Sequence, residues 1–281
     1  MDVTANGTRL HVEDTGGPGP PVVFAHGVLY SCRMWDAQVA ALRGRHRCIA
    51  YDHRGQGQSA VPESGYDMET VAEDAAALLL NLGTGPVHFV GLSMGGFVGM
   101  RLAARRPELI RSLVLLDTSA DPEPAENLPR YRMLATIARW LGQRPVAGSV
   151  LKIMHGRSMR ADPARTAELE TWRRRLIASD RTGAVRAVRG VFERLPVRDE
   201  LGRIRIPTLV GVGEEDTATV PARAEAIAAA IPGARLVRIP RAGHMSPIDN
   251  PGFVSAELLG FLAAVAPVEP PRPDAPVGPR A

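Results

Sequence analysis

Cysteine is scarce: Cys32 and Cys48 are the only two in 281 residues, too few for a disulfide framework. No uninterrupted apolar stretch approaches the roughly 20 residues needed to cross a bilayer. Residues 1–7 lack the positive start and apolar core of a secretory leader, so residence in the cytoplasm, away from membranes, is expected. Histidines and cysteines never cluster at metal-ligand spacing, so no metal is expected; no internal repeat is visible, and the chemistry read from the motifs below calls for no organic cofactor. Aromatic residues make up only 5% of the chain and join no basic stripe, which argues against nucleic acid as a partner. Lysine is almost absent. Arginine carries the positive charge, and the densest run, Arg173-Arg174-Arg175, is interleaved with Glu168, Glu170 and Asp180 as on a solvated helix face. The same run also raises the prospect of attracting a carboxylate-bearing substrate. Oligomeric state is left open.

What is present is enough apolar residue, 45%, to bury a sizeable core, arranged in a rhythm. Short apolar runs at 22–25 and 47–51 are each followed by a helical pattern, at 36–42 and 68–82. The alternation returns after Pro207 with a strand at 208–213, a helix at 222–230, a strand at 235–239 and a helix at 252–265. Such alternation predicts a mainly parallel sheet with helices on both faces. Asn6-Gly7, between Val3 and 9–13, predicts a hairpin at one sheet edge. Between residues 121 and 206 the strands stop, and 131–141, 145–155, 163–179 and 182–193 all read as helix. The chain therefore divides into a core (1–120 and 207–266), a helical lid (121–206) and a proline-rich tail (267–281) expected to be disordered.

Chemistry enters at Gly91-Leu92-Ser93-Met94-Gly95-Gly96, between the apolar run 87–90 and the helical pattern 97–106. Strand, glycine-flanked serine, then helix is the order of a nucleophile elbow, in which a sharp turn lifts the serine hydroxyl clear of the sheet. Such a turn leaves no room for side chains two residues away on either side. A nucleophilic serine needs a base, an orienting acid and donors for an oxyanion. His244, in Ala242-Gly243-His244 just past a short strand, is the candidate base; among the other histidines only His26 also follows a strand end. For the acid, Glu214, Glu215 and Asp216 compete, with Asp117 after the run 113–116 as a further candidate. Asp216 is favoured because it follows Gly213 by three residues and precedes the helix starting near Pro221. The donors would be the backbone N–H of Met94, next after the serine, and of Val28, in the loop after the strand at 21–25. The turn Asp52 to Ser59 holds several polar residues but reads as structural, with Gly55 and Gly57 marking a tight bend that supports the neighbouring loop.

These pieces together resemble the α/β-hydrolase superfamily: His26-Gly27 with Trp35 eight residues on, the turn Asp52 to Ser59, Gly91 to Gly96, Gly213-Glu214-Glu215-Asp216 and Ala242-Gly243-His244. The stretch after Pro207 is most similar to oxoadipate enol-lactonases and cofactor-free haloperoxidase-like esterases. The resemblance implies an α/β-hydrolase fold with an eight-stranded sheet and a helical lid, and a serine hydrolase acting on a small ester or lactone, with perhydrolysis as a possible side activity. Serine at 93 argues against the aspartate-dependent dehalogenases and epoxide hydrolases of the same fold. The loop after His26-Gly27 lacks the glycine-proline turn of the carbon-carbon hydrolases. From another class, a binding protein on the same scaffold would bind without turning over. Candidates to line the substrate pocket are Trp35, Met133, Ile137, Trp140, Met154, Trp172 and Met245.

Overall fold

The computed structural model describes residues 1–265; the tail expected to be disordered lies outside them. Asn6 and Gly7, both in the left-handed region (φ 47° and 72°), turn β1 (Asp2–Ala5) back onto β2 (Thr8–Asp14) as the hairpin demands. The chain continues through β3 (Pro21–Ala25), α1 (Asp36–Leu42), β4 (Arg47–Tyr51), α2 (Met68–Leu82), β5 (Val87–Leu92), α3 (Met94–Arg105) and β6 (Ile110–Leu116). After the insert come β7 (Thr208–Gly213), α9 (Pro221–Ala230), β8 (Arg235–Ile239), the single turn α10 (Ser246–Asp249) and α11 (Pro251–Ala264).

The eight strands form one sheet in the order β1-β2-β4-β3-β5-β6-β7-β8. β2 pairs antiparallel with β1 and with β4, and every later pairing is parallel. Every residue of β5 is buried, as a strand covered by helices on both faces requires. In register, Val90 lies between Phe24 of β3 and Val114 of β6, so the ends of these strands deliver Ala25, Leu92 and Leu116 to the same edge. α1 packs on α11 and α2 on α3, the two helical groups flanking the sheet. One continuous apolar core runs from Ala5 to Leu262 and includes residues of the insert.

The helical pattern at 97–106 begins three residues earlier than its apolar spacing suggests, at Met94. Gly95 and Gly96, poor helix formers, occupy the first turn because nothing larger fits: a Cβ at Gly95 would press into the Ala25 carbonyl, and one at Gly96 into Thr118. The insert contains α4 (Leu128–Leu141), α5 (Ala147–Met154), α6 (Arg157–Ala161), α7 (Thr166–Ala178) and α8 (Arg181–Phe192). α6 has no counterpart among the expected helices, because one short turn between Gly156 and Asp162 carries too few residues for a period.

Candidate active site

Ser93 has φ 52° and ψ −109°, a conformation that costs a non-glycine residue about 1–3 kcal/mol and persists only where the surroundings over-determine it. Here its N–H donates to the Leu116 carbonyl at 2.9 Å and its carbonyl accepts from the Thr118 hydroxyl at 2.8 Å. A Cβ on Gly91 would collide with the Gly95 backbone, so that glycine is required by close approach. The hydroxyl that results lies 2.9 Å from Nε2 of His244, whose Nδ1 lies 2.9 Å from Oδ2 of Asp216. All three side chains are buried.

Asp216 is itself held. Oδ1 accepts the N–H groups of Ala218 and Thr219 at 2.8 and 2.9 Å, and Oδ2 accepts the Thr219 hydroxyl at 2.7 Å. Thr219 was not foreseen, although aspartate followed three residues later by threonine before a helix is a spacing at which side chain and backbone bond locally. Burial pulls the His244 imidazole down, but the charge and hydrogen bond of Asp216, with Asp117 and Glu123 farther off, outweigh it and raise its pKa above the usual histidine value. Asp117, the alternative acid, makes no hydrogen bond to His244 and instead accepts from the Gly213 N–H at 2.7 Å and from the Ser246 hydroxyl. Burial, and then the negative charge of Asp216, push its carboxyl well above the ordinary range.

Val28 and Met94, the two expected donors, have no acceptor for their N–H groups among the described residues. Gly27 packs on Leu92 and Ser93, which brings the 26–32 loop against the elbow. The turn after β4 buttresses that loop. Asp52 accepts the Cys32 N–H at 2.7 Å, Gln56 accepts the Leu29 N–H at 2.7 Å, and the His53 N–H donates to Nε2 of His26 at 3.0 Å. His26 is thereby absorbed into structure, and burial lowers its pKa.

Ser93 and His244 open into an apolar cavity walled mainly by the insert: Leu134 and Ala138 of α4, Val150 and Met154 of α5, Leu176 of α7 and Val188 of α8. Val28 and Phe97 close it from the core side. Of the seven candidate lining residues, Met154 alone reaches this cavity. Met133 and Trp140 lie on the opposite face of α4, 56% and 70% exposed, and Ile137 packs half-buried between the two faces without lining the cavity. Trp35 is wholly buried away from the cavity wall with its ring 5.2 Å from Phe24. Trp172 packs on Tyr30 at 5.3 Å, leaving Leu176, one turn on, to face the cavity. Met245 is buried and fastens the insert through its N–H to the Met154 carbonyl at 3.0 Å. Apolar spacing marks these residues as buried or interfacial but does not say which face of a two-sided helix turns inward.

A model of the alpha/beta hydrolase fold matches residues 20–251. The chain belongs to the α/β-hydrolase family. Its structure is similar to that of the enol-lactonase from Burkholderia xenovorans LB400, with a TM-score of 0.86 and 32% identity over 94% of this chain and 100% of that one. A thermophilic esterase from Thermogutta terrifontis gives a TM-score of 0.87 and 33% identity over 94% of this chain and 99% of its own. Among curated proteins, a non-heme haloperoxidase of Rhodococcus erythropolis is 30% identical over 92% of this chain and 98% of the relative. The protein is thus an α/β-hydrolase enzyme with lactonase, esterase and haloperoxidase relatives. Among the described residues no helix of this hydrolase is long and apolar enough to cross a membrane.

Away from the cavity, His11, Glu13 and Cys32 bring potential ligand atoms within 4.8 Å of one another, a grouping that spacing along the chain cannot reveal. Glu13 already pairs with Arg33 at 2.9 Å, and burial pushes the Cys32 thiol well up, so the trio is a poor metal site.

Proposed function

We propose that the protein is a serine hydrolase that cleaves a small, neutral carboxylic ester or lactone through an acyl-enzyme. The reading is carried by the unbroken line from Asp216 through His244 to Ser93, with 2.9 Å at each link, ending in a hydroxyl that faces an apolar cavity. In it, His244 takes the Ser93 proton as the oxygen attacks the carbonyl carbon, and Asp216 fixes the imidazole tautomer. The N–H groups of Val28 and Met94, unspent on other acceptors among the described residues, would receive the oxyanion. His244 then protonates the departing alcohol, and a water deprotonated by the same ring releases the acid.

Neutrality of the substrate is supported by the cavity wall. Its one arginine, Arg194, is buried and paired with the largely covered Glu123 at 3.0 Å, so an incoming carboxylate meets no uncompensated cation there. The Arg173 to Arg175 run does not line the cavity: Arg173 pairs with Glu170, and Arg175 lies over the Trp172 ring at 4.5 Å. The lactonase relative keeps an enol-lactone in view as a second substrate, with perhydrolysis a further activity to assay. A panel of short nitrophenyl esters beside neutral and carboxylated lactones tests the reading. Steady turnover with kcat/KM at least about tenfold higher for neutral substrates is expected. A preference for the carboxylated lactone would favour the enol-lactonase reading, and a single burst without turnover would favour a binding protein.

A further inference from the structure

The molecule buries a second aspartate–histidine pair. Nδ1 of His155 is 2.7 Å from Oδ1 of Asp249, and its Nε2 is 2.9 Å from the Tyr30 hydroxyl. The other carboxylate oxygen of Asp249 accepts two backbone N–H groups, of Gly156 and of Gly243, each at 2.8 Å. Tyr30, His155 and Asp249 are all buried, and none of them lines the cavity. Each belongs to a different piece of the site. Tyr30 lies in the loop that carries Val28, His155 follows α5 of the insert, and Asp249 ends α10 and holds the N–H of Gly243, which immediately precedes His244.

Hydrogen-bond bookkeeping sets the polarity. A carboxylate only accepts, so Nδ1 of His155 donates to Asp249, leaving Nε2 to bond the Tyr30 hydroxyl. The backbones beneath are in contact as well. A Cβ on Gly243 would press into Gly156, and one on Gly156 would meet Gly243 and the Glu215 carboxylate, so these two glycines allow the insert to seat directly against the His244 loop. Glu215, next to Asp216, adds a tie through the Ser158 N–H at 2.8 Å. Burial, and after it the charge of Asp249, raise the Tyr30 phenol well above its usual range, keeping it neutral.

We propose that Tyr30, His155 and Asp249 form a non-reacting relay that fixes the Val28 loop and the His244 loop relative to each other through the insert, making them positioning residues for the reaction at Ser93. The proposal rests on the serine-hydrolase reading. Loosening the relay moves the oxyanion donor relative to the base, so it lowers the rate of acylation while leaving the apolar grip on substrate unchanged.

The test is Tyr30→Phe in the full chain, with burst kinetics on a short-chain nitrophenyl ester, hydrogen exchange at the Gly156 and Gly243 amides, and Ser93→Ala alongside. A fall in acylation rate of about tenfold with an unchanged substrate dissociation constant from the burst phase, and faster exchange at both amides, is expected. Ile110→Val, a buried change at the start of β6 and so at the end of the sheet away from Ser93, separates positioning from bulk stability by lowering Tm without touching the relay. Acylation slowed in Tyr30→Phe but not in Ile110→Val supports the relay. Acylation slowed alike in both, or a Tyr30→Phe enzyme with wild-type acylation, overturns it and leaves the serine reading standing. Full turnover by Ser93→Ala would instead overturn the serine reading beneath it.

Discussion

Two Asp–His pairs of nearly equal geometry, Asp216–His244 at 2.9 Å and Asp249–His155 at 2.7 Å, are buried in one molecule, yet they end differently. The first ends in a serine hydroxyl on a strained turn that opens into a cavity, beside two N–H groups with no acceptor among the described residues. The second ends in a tyrosine wedged beside Trp172 and none of its members lines the cavity, although in both pairs the other aspartate oxygen accepts two backbone N–H groups. On the proposed reading, an aspartate–histidine–hydroxyl line is chemistry only where the hydroxyl has a vacant approach and charge-receiving donors. Elsewhere the same hydrogen bonds are scaffolding.

The comparison breaks most directly at the hydroxyls. Ser93→Ala should lower kcat by at least about 10⁵-fold without loss of fold, as measured by ester turnover and thermal unfolding, whereas Tyr30→Phe should cost about tenfold. At the aspartates, Asp216→Asn should cost on the order of 10⁴ in kcat by stabilising the wrong tautomer of His244. Asp117→Asn, with no bond to that ring, should cost far less. If Asp117→Asn is the crippled variant, the assignment of the acid fails.

The pH profile sharpens the same contrast. As the proposed base, His244 must be neutral to take the Ser93 proton, and its pKa is raised by its surroundings. Activity should therefore be lost as pH falls through that raised value, placing the acid limb of kcat/KM above the ordinary histidine value of about 6.5. An acid limb below it would mean that Asp216 does not hold the ring as the geometry indicates. The smallest effects belong to the outer face of α4. Met133→Ser and Trp140→Ser should change stability by no more than about 0.5 kcal/mol and leave KM unaltered, while Met154→Ala, at the cavity wall, should raise KM for the longer acyl esters.

Much of this was legible in the chain. Short apolar runs alternating with helical patterns dictate the parallel sheet, and the glycines around Ser93 announce the elbow because no other residue fits there. His244 and Asp216 could be singled out by their places just past strand ends, where a parallel sheet gathers its loops. The direction of the insert's side chains could not. In α4 the apolar residues Met133 and Trp140 turn outward while Leu134 and Ala138 turn inward, and an apolar residue looks the same in sequence whichever way it points. Nor could His155 be paired with Asp249, 94 residues away, because only the folded chain brings Gly156 against Gly243. Thr219 lay within reach of local reasoning, since its bonds to Asp216 span three residues.

The central claim is that one oxygen, on Ser93, is the nucleophile. Treating the full-length protein with a nitrophenyl phosphonate and mapping the adduct by peptide mass spectrometry tests it most directly. A single stoichiometric adduct on Ser93, formed in step with loss of esterase activity and slowed in Asp216→Asn, is the predicted result. Esterase activity that persists with Ser93 modified, or an adduct on any other residue that tracks inactivation, would contradict the account.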